Sequence, residues 1–154
     1  MGDNNEKLDA VVLERYKYIN SQLAALNDSA HKFLSLYQTL TAAIVTAGLA
    51  LFVGYRGWGI SADNAHKGLI GLLLLQAIVA AFTCAFLLAG VASWLDYRRE
   101  EVTLLRDYLD QSFREAPKIR NFYRWYETYM VLLVVASAVV ISILALTRLS
   151  PAMK

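Results

Sequence analysis

The chain has one cysteine, two prolines and two histidines among its 154 residues, and each scarcity excludes a class of structure or chemistry. Cys84 is the single cysteine, so no disulfide within the chain holds the fold. Few metal ligands are available, and the sequence contains no CxxC, HExxH, GxSxG or P-loop pattern. We therefore expect a protein that is not an enzyme and that uses no metal and no cofactor.

Charged residues are also scarce, and three long stretches lack them altogether. Residues 33–53, 68–95 and 128–147 contain no Asp, Glu, Lys or Arg, and 57% of the whole chain is hydrophobic. A helix needs about 20 apolar residues to cross roughly 30 Å of hydrocarbon. The sequence therefore predicts an all-α integral membrane protein with three transmembrane helices and cytosolic amphipathic helical extensions.

The charged segments alternate with these spans and divide the chain. The predicted division is a heptad helix (1–32), the first span (33–53), an outer connector (54–67), the second span (68–95), a cytosolic helical segment broken at Pro117 (96–127), the third span (128–147) and a tail (148–154). Eleven of the 15 lysines and arginines lie in 1–32 and 96–127. Because cytoplasmic loops are rich in Lys and Arg, we expect a cytosolic N-terminus and an external C-terminus in a cell inner membrane. A net charge of only +2 gives no support for a nucleic-acid partner.

A heptad pattern runs through the first charged segment and into the first span. Apolar residues recur at spacings of four and three, at Val12, Tyr16, Ile19, Leu23, Leu26, Ala30, Phe33 and Tyr37. Such a stripe is typical of a coiled coil and needs a partner, either in the same chain or in another copy. We favour a homo-oligomer that uses the first five of these residues. No Gly or Pro separates the segment from the span, which predicts one unbroken helix.

Polar side chains inside the spans are candidates for a functional site. They include Gln38, Thr41, Thr46, Gln76 and Thr83, together with Ser137 and Ser142. In hydrocarbon such groups must pair or face water, so they predict either interhelical hydrogen bonds or a pore lining. A strip of small residues in the first span, suited to close helix contact, consists of Ala43, Ala47, Ala50 and Gly54.

A basic cluster precedes the third span. Its members are Arg114, Lys118, Arg120 and Arg124. Basic clusters beside a span bind anionic lipid headgroups, and a phosphorylated or nucleotide signal is the alternative ligand. Over residues 96–127 as a whole, seven basic residues are balanced by seven acidic ones, which also favours pairing with another protein.

The layout of the chain resembles that of small bacterial helical membrane proteins. The stretch YKYINSQLAALNDSAHKFLSLYQTLTAAI is followed by a second span and then by WLDYRREEVTLLRDYL. This order is similar in outline to SLATT-type membrane effectors of nucleotide-triggered antiphage systems and to RipA-like octameric membrane proteins. The resemblance implies an oligomer with a cytosolic helical part and, for the SLATT-type proteins, a role in permeabilising the membrane. It implies no particular functional residue.

Two functions are compatible with these patterns. The favoured prediction is an oligomeric pore-forming or membrane-perturbing effector gated by its cytosolic helices, because a heptad helix is joined to a span with polar side chains. The alternative is a non-conducting adaptor that recruits a cytosolic partner. The expected partners are membrane lipids, further copies of the chain and, for an adaptor, a cytosolic protein.

Overall fold

The computed structural model describes the backbone of residues 2–108, 117 and 119–152, and their side chains apart from those of 2–9 and 119. Three long helices dominate the described chain, α1 (Gly2–Gly54), α2 (Ala62–Tyr108) and α3 (Tyr126–Leu144). A π-helical turn, Ala145–Leu149, and a last turn, Ser150–Ala152, prolong α3. All three helices are long and apolar enough to cross a membrane. This confirms the predicted helical class and the three apolar spans.

The first two helices are much longer than a membrane is thick. α1 has 53 residues without a break, which at 1.5 Å per residue is about 80 Å. It joins the charged N-terminal segment to the first span, which confirms the predicted unbroken helix. α2 has 47 residues and measures about 70 Å. Both helices are therefore much longer than the roughly 30 Å of a hydrocarbon core, and their charged segments lie at the end away from their connection.

α1 and α2 form an antiparallel hairpin whose register is marked by aromatic contacts. The rings of Tyr18 and Tyr97 meet edge-on with 6.5 Å between centroids. Nearer the connection, the rings of Phe33 and Phe86 lie 4.6 Å apart. The two helices therefore stay in contact along both their apolar stretches and their charged segments.

The predicted heptad stripe is buried within this hairpin. Ile19 is 0% exposed and Leu23 is 7% exposed, while Val12, Tyr16 and Leu26 are half-buried. α2 is the helix that covers this side of α1. The stripe therefore finds its partner in the same chain, and the predicted homo-oligomer needs another surface.

A short turn at residues 55–61 connects the two helices, inside the longer connector predicted at 54–67. Gly59 has a φ of +69°, which suits glycine because it has no Cβ. At Gly54 a Cβ would stand 2.6 Å from the Trp58 ring, so the indole packs there only over a glycine. Tight packing at this turn brings α2 straight back along α1.

α2 begins six residues before the charge-free stretch that predicted it. The Ser61 hydroxyl accepts a hydrogen bond from the Asn64 amide at 3.3 Å and caps the helix. Lys67 pairs with Asp63 one turn apart, with 2.6 Å between Nζ and Oδ2, so the charges of the first turns lie on the helix itself. Charge marks the edge of a span, whereas the capping residue marks the start of the helix.

The approach to α3 is not a regular α-helix, although residues 96–127 were predicted as a helical segment broken at Pro117. Pro117 lies outside any helix, and a 3₁₀ stretch follows at Ile119–Arg124. Asn121 interrupts that stretch with φ −93° and ψ 17°, and Trp125 is extended with φ −87° and ψ 133°. The chain therefore bends at Trp125 before α3 begins. Residues 109–116, which belong to the predicted segment 96–127, lie outside the described residues.

The Thr128 side chain accounts for this bend. Its hydroxyl donates a hydrogen bond to the carbonyl of Phe122 at 2.7 Å, across the extended residue. Its backbone amide donates to the carbonyl of Trp125 at 3.2 Å. Threonine readily makes such local bonds, which compete with regular helix. The 3.6-residue periodicity of the sequence gave no sign of this side-chain bond.

α3 packs mainly on α2 and covers only part of the hairpin. We call this part, residues 27–54 of α1 and 62–94 of α2, the membrane part because it contains the apolar stretches. At one end Trp125 lies 5.7 Å from Trp94, centroid to centroid, and at the other Ser150 Oγ lies 3.2 Å from His66 Nδ1. We call these the extension end and the connector end. Residues 10–26 of α1 and 95–108 of α2 continue past α3, and we call this two-helix region the extension. It projects by about 26 Å, at 1.5 Å per residue.

Candidate functional site

Polar side chains from all three helices meet in the membrane part. We call Tyr37, Thr41, Gln76 and Ser137 the central polar cluster. The Gln76 amide donates from Nε2 to the hydroxyls of Tyr37 at 3.2 Å and Thr41 at 3.0 Å. The Tyr37 hydroxyl also lies 3.1 Å from the carbonyl of Val134, to which it donates, and 2.7 Å from Ser137 Oγ. Hydrogen bonds therefore link α1 to both α2 and α3.

The central polar cluster lies near the middle of the apolar stretches and is buried between the helices. Gln76 is 0% exposed and Tyr37 is 3% exposed. Along α2, Gln76 lies about 15 Å from His66 at the connector end, which is half of the roughly 30 Å hydrocarbon thickness. Its Oε1 atom is buried and accepts no hydrogen bond from the described residues. Because these groups bond to one another inside one chain, they hold the spans together.

Thr83 shares the buried face of α2 with Gln76 but makes no contact of this kind. It is 5% exposed, and its hydroxyl donates to the carbonyl of Val79 in its own helix at 2.8 Å. Ser142 likewise donates to the Ala138 carbonyl of its own helix at 2.8 Å. Of the polar residues predicted inside the spans, only Thr41, Gln76 and Ser137 join different helices.

Gln38 and Thr46 point away from the central polar cluster, and both are exposed. At 100° per residue, Gln38 points about 100° away from Tyr37, at the edge of the face that carries Thr46. Thr46 itself points about 180° away from Tyr37. We call the exposed strip around them the α1 outer face; its members are Ser35, Gln38, Thr39, Ala42 and Thr46. Thr39 bonds to the Ser35 carbonyl at 3.0 Å, whereas the Gln38 amide has no hydrogen-bond partner among the described residues. A polar surface thus faces outward at membrane depth.

The predicted strip of small residues borders the α1 outer face. Ala43, Ala47 and Ala50 are all exposed, and neither α2 nor α3 covers them. Gly54, the fourth member, is instead occupied by the Trp58 ring. The three alanines therefore remain available for close approach of a helix from outside the chain.

The extension carries ion pairs between and within its helices. Arg15 of α1 donates from Nε to Glu100 Oε1 of α2 at 2.8 Å, and this hydrogen bond raises the pKa of Arg15 above its ordinary value. Arg98 pairs with the fully buried Glu101 and lies over the Trp94 ring, with 5.4 Å from Cζ to the centroid. Of these contacts the Arg15–Glu100 pair joins the two helices, and the contacts of Arg98 lie within α2.

Only part of the predicted basic cluster can be placed. Arg120 and Arg124 are exposed at the extension end, close to the start of α3. Arg114 and Lys118 lie outside the described residues. Arg124 lines a cavity together with Arg98, Trp125 and Glu127, which the sequence did not single out. The available signal was the pair of tryptophans, Trp94 and Trp125, each within four residues of an arginine at the end of a span.

Both histidines make contacts that explain their positions. His66 meets Ser150 at the connector end, and His31 stacks on Tyr126 with 5.8 Å between ring centroids and 7° between planes. Among the described side chains, those of residues 10–108, 117 and 120–152, no three from His, Cys, Asp or Glu lie close enough together to hold a metal ion.

Comparison with protein-family models, with curated proteins and with solved structures gives no match. Function is therefore inferred from the arrangement of side chains. Two arrangements are informative: the central polar cluster is closed within the chain, and the α1 outer face is open to its surroundings.

Proposed function

We propose that the chain assembles through the α1 outer face into an oligomeric pore in a bacterial inner membrane. In this proposal the extension lies in the cytosol and gates the pore, and the C-terminus lies outside. The protein acts as a membrane-permeabilising effector without an enzymatic step. The observation that carries the proposal is the exposed polar strip on the apolar stretch of α1.

The exposed faces of the other two helices differ sharply from that strip. α2 exposes Leu74, Ile78 and Phe82, and α3 exposes Leu132 and Val139, all large apolar side chains. Such surfaces suit contact with lipid tails. Polar side chains on the α1 outer face gain nothing from lipid, so they favour contact with another copy or with water.

A ring of copies satisfies both surfaces at once. With α1 toward the centre, the α1 outer faces meet one another or line a water-filled path, and the apolar faces of α2 and α3 contact lipid. The Gln38 amide, with two donors and an acceptor, is the group best able to bond between copies. Ala43, Ala47 and Ala50 allow neighbouring helices to approach closely.

The unbroken α1 helix supplies a route for gating. The same rigid element carries the buried stripe of the extension and the α1 outer face. A rotation or tilt of the extension therefore reaches the face that would line the pore. The resemblance to SLATT-type effectors is the reason for proposing, in addition, that the protein acts in antiphage defence.

Ion flux from vesicles tests the pore. Purified protein reconstituted into liposomes that contain potassium and a potassium-sensitive dye should release the potassium. The double variant Gln38→Leu/Thr46→Leu should reduce this flux. Loss of about 1.4 kcal/mol of contact energy corresponds to about tenfold weaker association. Thr147→Leu is the matched control, because Thr147 is an equally exposed threonine on the continuation of α3.

Oligomeric state measured by mass photometry on the same samples completes the test. The double variant should shift toward monomer while the control stays assembled. A wild-type protein that is fully oligomeric but leaves the vesicles tight would contradict the pore.

The second candidate is a non-conducting adaptor, and the projecting extension favours it. This region presents exposed charges of both signs, including Glu14, Lys17, Asp96 and Arg99. A mixed, charged surface of this kind suits docking of a cytosolic protein. Stable capture of one partner by wild-type protein, lost when charges of the extension are reversed, together with tight vesicles, would select the adaptor.

A further inference from the structure

Two adjoining cavities lie at the extension end, where α2 meets the bend before α3. The first, about 310 Å³, has a polar and aromatic lining that includes Arg98, Arg124, Glu127 and Trp125. The second, about 540 Å³, is a groove between α2 and α3 with an almost wholly apolar lining. Val91, Trp125 and Glu127 belong to both linings, so the polar cavity opens into the apolar groove.

The charges at the polar cavity are balanced. Arg124 is exposed and forms no ion pair within the described residues. Arg98 is already matched by the buried carboxylate of Glu101 and rests on the Trp94 ring. Glu127 brings a second carboxylate to the lining. Two guanidinium groups and two carboxylates leave no net charge, so a ligand that is itself neutral overall fits this cavity better than an anion.

The apolar groove has the length and position of one lipid leaflet. It runs along α3 from Trp125 to Val139, about 21 Å at 1.5 Å per residue. One leaflet with its headgroup region is about 20–22 Å thick, which is half of the roughly 40–45 Å of the whole bilayer. Leu132, Val135 and Val139 line the groove and are each about half exposed or more, so the groove is accessible to an acyl chain.

We propose that the two cavities bind one molecule of phosphatidylethanolamine from the leaflet on the extension side. The lipid phosphate pairs with Arg124, its ammonium donates to the carboxylate of Glu127, and one acyl chain lies in the apolar groove. A primary ammonium is favoured over a quaternary one because it offers N–H donors to the carboxylate. Seated beside Trp125, the lipid braces the bend and fixes α3 on α2. The site does not depend on whether the protein conducts.

Native mass spectrometry on the detergent-purified full chain tests the headgroup. An equimolar mixture of phosphatidylethanolamine, phosphatidylcholine and phosphatidylglycerol with identical acyl chains should give mainly phosphatidylethanolamine adducts. Arg124→Gln and Glu127→Gln should each weaken that adduct about tenfold, the value expected for loss of one hydrogen bond to a charged group. Arg120→Gln, four residues before Arg124 and outside both linings, should leave binding unchanged.

A second pair of variants tests the groove. It keeps the proposal testable even if Arg124→Gln or Glu127→Gln does not fold. Ala136 lines the groove, so Ala136→Phe should fill it and reduce the adduct with all headgroup residues intact. Ala81→Phe adds the same ring to an exposed position of α2 outside the groove and should have no effect.

Three outcomes would overturn the proposal. Equal retention of the three lipids would indicate a general lipid belt. Preferred binding of phosphatidylglycerol, strengthened by Glu127→Gln, would indicate an anion site. Full binding by a folded Ala136→Phe protein would show that the groove does not hold the acyl chain.

Discussion

Tyr37 combines apolar packing and hydrogen bonding in one side chain. Its ring ends the heptad stripe and is 3% exposed, so it contributes apolar packing to the core of the membrane part. Its hydroxyl contacts Gln76 of α2 and both Val134 and Ser137 of α3. Within the described residues the three spans are therefore tied together at one oxygen atom. Removing this atom tests the cluster without changing the packing.

Tyr37→Phe should lower the stability of the folded protein by about 1–2 kcal/mol, the upper range for polar contacts between membrane helices. Thr83→Val is the matched control, because its hydroxyl bonds only to its own helix, and should change stability by less than about 0.5 kcal/mol. Thermal unfolding in detergent, followed by circular dichroism, measures both. Equal stability of the two variants would contradict a structural role for the cluster.

The Arg15–Glu100 pair should contribute little despite joining two helices. The side chains are 49% and 40% exposed, so water screens the charges. A double-mutant cycle with Arg15→Ala and Glu100→Ala should give a coupling energy of about 0.2–1 kcal/mol that declines in high salt. A coupling above this range, insensitive to salt, would mean that another chain covers the pair.

Among the elements, α3 depends on a local side-chain bond at its start. The Thr128 hydroxyl holds the extended residue Trp125 between the 3₁₀ stretch and the helix. This bend places Trp125 against Trp94 and shapes both cavities at the extension end. A single hydroxyl thus positions the two cavities in which we propose that the lipid binds.

Thr128→Val should destabilise this bend by about 1 kcal/mol, the usual net value of one hydrogen bond. Backbone amides of residues 119–128 should then exchange hydrogen faster, by about fivefold. Thr147→Val removes a hydroxyl that bonds only to the Ile143 carbonyl of its own helix and should leave these amides unchanged. Unchanged exchange in Thr128→Val would show that packing alone sets the bend.

At the scale of the whole molecule, the single cysteine offers a direct test of orientation. Cys84 is partly buried in the membrane part of α2. In a Cys84→Ala background, Asn64→Cys probes the connector end and Ser21→Cys probes the extension, and both positions are exposed. The first should react with a membrane-impermeant maleimide on intact cells, and the second only after permeabilisation. The reverse pattern would show that the extension lies outside.

Several features of the fold follow from neighbouring residues and were predictable for that reason. The first apolar span is predictable from local composition, because residues 33–53 contain no charge. The continuity of α1 is predictable from the heptad pattern, which runs into this span without a break. The start of α2 did not follow from the absence of charge, because Ser61 caps the helix before its charged first turns. The bend at Trp125 was missed because a hydroxyl three residues later competes with helical periodicity.

The residues of the candidate site were likewise predictable only in part. Gln38 and Thr41 are three residues apart, and composition placed both at membrane depth without distinguishing them. Tertiary packing turned Thr41 toward Gln76 and left Gln38 exposed, since the rotation of α1 is set by what α2 and α3 offer it. Arg98 and Glu127 meet at one cavity although 29 positions separate them along the chain.

The sequence by itself determined that this protein has three apolar helices and that α1 continues without a break from the charged segment into the first span. These properties depend on local composition and periodicity, which act within a few helical turns. The tertiary structure alone decided that the heptad stripe is covered by α2, that Tyr37 and Gln76 close the central polar cluster, and that the α1 outer face stays open. Those outcomes depend on contacts between residues tens of positions apart, and periodicity along one helix carries no information about its neighbours.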